Sequence, residues 1–237
     1  MAETSQFGLP LLSNSQAQKS VTVNESLSIL DAVAQLRFVS GTLTDPPIAV
    51  TDGEAFWITS GATGDWFGQD GTIAIACNGG WRFVVPKIGW HAYNVETGTS
   101  QLFDGTTWLD CTLAATASGT ATEYEIVEID FDLSAATSLT TVDVIPANAQ
   151  VVGVTGRVTQ SITGSLTNWS LGVSGSPDRF GQGLGISLNS YVLGMSNSPT
   201  TYYTDTPLVL TASGGDFAQG QVKLAVHFVK LVPPRAI

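Results

Sequence analysis

The sequence predicts a mainly β protein: an N-terminal helix with a small antiparallel hairpin domain, followed by an antiparallel, jelly-roll-like β-sandwich. Three observations carry this expectation. Only one segment has helical periodicity, and short β-rich runs elsewhere alternate with Gly, Asp, Asn and Pro turn signals. No helix separates the strands of the second half, which argues against a parallel βαβ arrangement. The 237 residues include 22 Ser, 28 Thr and 25 Gly, and the 43% apolar content is enough to build a core.

The helix is expected over about Val23 to Arg37. Thr22-Val-Asn-Glu25 has the spacing of a capping box, and Leu27, Leu30, Val33, Ala34 and Leu36 follow at mostly three- and four-residue intervals. Such a helix is marginal alone in water, so it must pack on something. Strand-like runs come next at Ala55–Thr59, Thr72–Cys77, Trp81–Pro86, Trp90–Val95, Gln101–Phe103 and Trp108–Cys111. Asn78-Gly79 and Asp104-Gly105 between them suit the positive φ angles of tight hairpins. Trp57, Trp66, Trp81, Trp90 and Trp108 are expected to fill the core of this thin domain, residues 1–111.

Residues 112–122, without charge or aromatic side chains, read as an exposed linker. The second domain, 123–237, opens on alternation of Tyr124, Ile126, Ile129, Phe131 and Leu133 with acids, and a bulge at Val127/Glu128 is needed to restore parity. Further strands are expected at Val142–Ile145, Val151–Gln160, Leu166–Val173, Gly185–Gly194, Leu208–Thr211 and Gln221–Leu231. In the last, Val222, Leu224, Val226 and Phe228 form one face.

Composition narrows the function. Charged residues make up 12% of the chain, with nine basic against twenty acidic and a net charge of -11. No basic patch offers the counterion release that nucleic-acid binding depends on. No run of about 18 apolar residues offers a membrane-spanning helix, and the first ten residues lack the pattern of a secretory signal. Cys77 and Cys111, 34 residues apart, suit either buried thiols or a bridge. With His91 and His227 they lack zinc-ligand spacing, so no metal and no cofactor is expected.

Catalytic patterns are weak. Gly181-Gln-Gly183-Leu-Gly185 lacks the strand–helix context of a dinucleotide loop and reads as a flexible β-loop. His91 and His227 lie far apart in sequence, with no Gly-x-Ser-x-Gly elbow. Asp65, Asp70, Asp104, Asp110, Asp178 and Asp216 offer carboxylates for glycoside chemistry, but Asp near Gly is foremost a turn former. The acidic row Glu123–Asp132 reads as a solvated strand face rather than a calcium site. A non-enzymatic protein is the expectation. Trp169, Tyr191, Tyr202 and Tyr203 stand among Ser, Thr, Asn and Gly, a setting that suits sugar rings: an apolar ring face stacks while hydroxyls find polar partners. Trp169, Asp178, Arg179, Tyr191 and Tyr203 are the candidate ligand contacts.

The stretch from Leu9-Pro-Leu-Leu-Ser-Asn-Ser-Gln-Ala-Gln-Lys19 through Val23-Asn-Glu25 to Leu30-Asp31-Ala32 resembles the start of a family of phage-derived proteins of alphaproteobacteria, found in prophages and gene transfer agent clusters. The resemblance continues at Pro46-Pro47, Asp52-Gly53, Gly61-Ala-Thr-Gly64, Gly89-Trp90 and Phe103-Asp-Gly-Thr-Thr-Trp108. In the second half it extends to Ser174–Gly181, Thr201-Tyr-Tyr203 and Leu210–Phe217. It implies a virion spike or fibre, similar to gene transfer agent head spikes that attach particles to capsular polysaccharide. The first domain would anchor the particle and support oligomerisation, and the second would bind the receptor. The implied partners are capsular polysaccharide, other virion proteins and further copies of the chain, a trimer being favoured and a pentamer the alternative. The implied place is the virion surface, after cytoplasmic assembly and release by lysis. A polysaccharide-degrading tailspike and a purely architectural virion protein are the competing readings.

Overall fold

The computed structural model describes residues 9, 12 and 17–236, so most of the Leu9–Lys19 stretch lies outside the described residues. Among the described residues the chain is mainly β, with one N-terminal α-helix and three sheets, one of them mixed and two antiparallel. It divides into two units, one of residues 1–120 with 234–237 and one of residues 121–233.

The first unit holds helix α1 (Lys19–Ala34) and strands β1 (Arg37–Ser40), β2 (Ala55–Trp57), β3 (Ile73–Cys77), β4 (Gly80–Val84), β5 (His91–Asn94), β6 (Thr99–Phe103), β7 (Trp108–Asp110) and β8 (Thr112–Ala115). Seven of the strands form one sheet in the order β4-β3-β2-β1-β5-β6-β7. The hairpins follow the local turn chemistry. Cys77 pairs with Gly80 across Asn78-Gly79, whose φ angles of 51° and 72° are those of a type I′ turn. The centre departs from the all-antiparallel expectation, because β1 pairs in parallel with both β2 and β5. Parallel neighbours are joined by long connections that leave no local turn signature.

Alternation along β2 and β3 splits the core. Ala55, Ile73 and Ile75 face one side with Phe38, the helix residues Ile29, Ala32 and Val33, and Leu36 just past the helix end, while Phe56 and Ala74 face the other with Ile58 and Trp66. All five tryptophans pack in these clusters as expected. Trp66 and Trp81 meet edge to face at 5.1 Å, and Phe38 and Trp108 at 5.0 Å.

The helix differs from the expectation at both ends. It starts one turn early, behind Gln18 in the left-handed region, and no side chain caps it. Thr22 lies inside it and is buried, and Glu25 pairs with Arg82 rather than closing a capping box. The sequence carries two apolar stripes of the same period. Ile29, Ala32, Val33 and Leu36 face the sheet, whereas Leu27 and Leu30 are exposed.

Residues 112–122, expected as a linker, hold β8 and the start of the next strand. The turn between them is fastened by Arg235, which donates to the Ala117 carbonyl, while its own backbone N–H donates to Ser118. Gly119 sits beneath it with φ +82°, and a Cβ there would lie 2.9 Å from the arginine stem. Arg235 also donates to Asp104 at 2.7 Å. That carboxylate is wholly buried and accepts the N–H groups of Thr106 and Thr107 as well. Cys77 and Cys111 are not bridged.

The second unit holds β9 (Ala121–Leu133), β10 (Ser138–Ile145), β11 (Ala149–Gly164), β12 (Asn168–Val173), β13 (Ser176–Leu184), β14 (Tyr191–Tyr202), β15 (Thr206–Ser213) and β16 (Phe217–Val232). One sheet runs β10-β15-β12-β13; within this unit the other runs β14-β11-β16-β9. The first strand pairs with the eighth, the second with the seventh, the third with the sixth and the fourth with the fifth, all antiparallel. A long hairpin rolled up on itself gives this order, which is that of a jelly roll. The sheets meet over one core that includes Trp169, Leu171, Phe180, Leu208 and Leu210 from one side and Val154, Val158, Val222, Leu224 and Phe228 from the other. Phe180 and Gly194, on the edge strands β13 and β14, approach so closely that a Cβ on Gly194 would lie 2.0 Å from the Phe180 carbonyl oxygen.

Two expectations fail here. The β9–β16 ladder is unbroken from Ala121↔Val232 to Leu133↔Gly220, so no bulge interrupts Val127/Glu128. Tyr124 and Ile126 therefore point outward with Glu128, Asp130 and Asp132. Gly181 to Leu184 belongs to β13 rather than to a flexible loop, and β14 begins only at Tyr191.

Three stability measurements follow. Arg235→Ala leaves the buried Asp104 with only backbone donors, so urea unfolding of the first unit should show a loss of about 1–3 kcal/mol. Trp169→Ala empties a wholly buried site and should cost the second unit about 3–5 kcal/mol. Glu96 accepts the Ser40 hydroxyl at 2.7 Å, and this bond holds its carboxyl below the ordinary 4.5. The contribution of Glu96 is therefore present above that value and is lost as pH falls through the lower folded value. Melting temperature against pH should drop less steeply on the acid side for Glu96→Gln than for the parent.

Candidate binding surface

The outer face of the β14-β11-β16-β9 sheet is built by period-two alternation on four registered strands. Tyr191 on β14 lies beside Arg157 on β11, which lies beside Lys223 on β16 and then Asp130 on β9. The next row reads Leu193, Thr155, Ala225 and Glu128. A shallow trough of about 430 Å³ runs here, lined by Tyr191, Arg157, Thr155, Thr159, Glu128 and Lys223 among others.

Hydrogen bonds fix the polar groups. Lys223 donates to Glu128 at 3.0 Å and to Asp130 at 3.1 Å, and these two bonds hold its ammonium above the ordinary lysine range. Arg157 donates to the Asn189 carbonyl at 3.1 Å, and the Thr159 hydroxyl to Gln221 at 3.0 Å. Gln221 in turn donates to Asp132 at 2.9 Å. Thr155 and His227 share a hydrogen bond of 3.0 Å. Above this floor the Tyr191 ring is 68% exposed. An exposed aromatic face beside hydroxyls, a guanidinium and a carboxylate is the chemistry that holds a sugar ring.

The five residues singled out from sequence do not form one site. Trp169 is 1% exposed, and its indole N–H donates to the Gly185 carbonyl at 3.0 Å. It is a core residue, because its place on β12 faces inward, and it offers no ring to a ligand. Asp178 and Arg179 are exposed on β13, and Arg179 donates to the Thr200 hydroxyl at 2.8 Å. Nearby, burial raises the Tyr202 phenol, with Arg179 opposing the shift, and Tyr203 is exposed. Tyr191 stands at the other end of β14. Tyr191 pairs with Arg157 and Tyr202 with Ala149, eight residues apart on β11 or about 26 Å at the usual strand rise.

Arg157, Thr155, Thr159, Glu128 and Lys223 were not among the sequence candidates. Each lies on a different strand from Tyr191, and only the pairing register brings them to it. Among the described residues no group of His, Cys, Asp and Glu has the arrangement of a metal site. Several of the Asp candidates are engaged within the fold: Asp70 accepts the Ala62 N–H, Asp110 accepts Thr99 and Gln101, and Asp216 accepts Thr137. No helix among the described residues is long and apolar enough to cross a membrane.

Comparison with known proteins adds three findings. A family model described as a protein of unknown function (DUF2793) matches residues 23–109, the larger part of the first unit. No curated protein matches the chain. Among solved structures, the chain is similar to one described as the cyanophage Pam1 capsid asymmetric unit. The identity is 16% and the TM-score 0.35, covering 46% of this chain and 84% of that one.

Proposed function

We propose that this protein is a non-enzymatic structural component of a phage-like particle of the gene transfer agent kind. In this reading its jelly-roll unit sits at the virion surface and binds host capsular polysaccharide through the trough beside Tyr191. The observation that carries it is that trough: an exposed tyrosine over a floor of hydroxyls, one guanidinium and one ammonium paired with two carboxylates, whose charges balance. The jelly roll supports the reading as an architecture shared by capsid and lectin domains, though fold alone does not assign function. The sequence resemblance to phage-derived proteins supports the particle. The chain works as a homo-oligomer, a trimer before a pentamer, anchored to other virion proteins by its first unit. Several weak sugar sites on one particle then hold a polymer by avidity.

The test is adsorption. Purified protein should block attachment of particles to encapsulated cells, and acapsular cells should adsorb neither. Isolated capsule should bind the parent protein, and Tyr191→Ala should weaken that binding about tenfold, equal to about 1.4 kcal/mol. Tyr203→Ala, at the far end of β14, should leave it unchanged. Loss with Tyr203→Ala alone would move the site to the Arg179 end. Reducing ends released from capsule would favour the tailspike reading, and absence of any capsule binding would favour a purely architectural protein.

A further inference from the structure

The same outer face has a second half with a different character. Beyond the Lys223 ion pairs the rows become apolar: Met195, Gly153, His227 and Ile126 lie in line, and Val229 beside Tyr124 follows. Leu193, Met195, Ile126, Tyr124 and Leu231 are exposed by 69%, 71%, 58%, 40% and 74%. Leu193 and Met195 stand as one wall on β14, and Tyr124 and Ile126 as the other on β9. Between them lies a low floor of Gly153 and Ala225.

We infer that this apolar half is the surface through which copies of the chain associate. The inference rests on the oligomer reading above and names the interface that reading lacks. Area is the first argument. Five large side chains exposed by 40% to 74% present apolar surface on the order of several hundred Å². That reaches the largest patches ordinary monomers tolerate and approaches the ~800 Å² per partner of a stable interface, before the rim is counted. Charge is the second. A chain at -11 repels its own copies, yet the rows from Met195 and Ile126 onward carry no charged side chain, the nearest acid being Glu128 at the end of the Leu193 row; their one titratable group besides Tyr124 is His227, tied to Thr155. The charged residues lie at the other end, where Lys223 is paired with Glu128 and Asp130. An uncharged, Met- and Tyr-bearing centre with a polar border is the composition of protein–protein interfaces. Leu193 and Ala225 also line the Tyr191 trough, so association here sets the trough at the edge of the interface, and each copy added presents another trough to the same polymer.

Sedimentation velocity of the full chain decides the matter. The parent should run as a multimer at about 10 µM, and Leu193→Glu with Ile126→Glu should run as a monomer there, a loss of at least about a hundredfold in association. Both side chains are exposed, so far-UV circular dichroism should be unchanged, and the doubly polar Leu193→Ser with Ile126→Thr should show the same trend more weakly. Leu27→Glu with Leu30→Glu, on the exposed stripe of α1, tests the competing surface. A parent that is monomeric at about 50 µM overturns the oligomer reading and this interface with it. A parent multimer that survives Leu193→Glu with Ile126→Glu overturns the interface alone, and dissociation by the α1 variant only would place association on the helix.

Discussion

The thirteen-residue ladder between β9 and β16 is the constraint on which the second unit depends. It joins the first strand of the unit to the last, so the β14-β11-β16-β9 sheet is complete only when both ends of the segment are present. Its uninterrupted register also assigns a face to every residue on both strands, since a slip of one residue would turn Val222, Leu224, Val226 and Phe228 out of the core. The remaining pairs nest inside it, each joining strands progressively nearer in sequence. A topology with its longest-range contact at its outermost pair is slow to form, because loop-closure entropy is met before the contacts repay it.

The first unit solves a different problem. Its sheet contains short strands of three to five residues, and its core is split between two aromatic clusters. Such a thin structure gains less from burial than from fastening. Asp104 illustrates this: one buried carboxylate closes the β6–β7 turn, and through Arg235 it ties down the turn that leads out of β8. A charged pair with one partner in solvent is worth little alone. Here the carboxylate is dry and three donors converge on it, so the group works as a structural knot.

Local chemistry was legible in the sequence, and long-range register was not. Asn78-Gly79 announced its hairpin, and Val222 to Phe228 announced a buried face, because turn type and alternation are written in neighbouring residues. The helix was harder. Two apolar stripes share one period, and only the sheet decides that Ile29 and Ala32, not Leu27 and Leu30, go inside. In β9 the apolar Tyr124 and Ile126 seemed to demand a bulge, yet they are exposed, and the ladder keeps its parity at the expense of covering them. Trp169 shows the same limit for the site. Its polar neighbours suited a ligand contact, but β12 is an inner strand and its inward positions are core whatever stands beside them. The trough around Tyr191 draws on β9, β11, β14 and β16, so no single stretch of sequence contained it.

The ladder has one more consequence. Ala121 faces Val232, so the chain enters and leaves the second unit on adjacent strands, about 4.8 Å apart. The first unit resumes two residues later at Pro234. The sandwich thus has its two ends side by side, and what flanks it needs only a paired entry and exit. Any other sandwich that begins and ends on neighbouring strands meets the same requirement. The Asp104–Arg235 pair joins residues that flank the sandwich on its two sides in the sequence, so this fastening belongs to the chain outside that paired entry and exit.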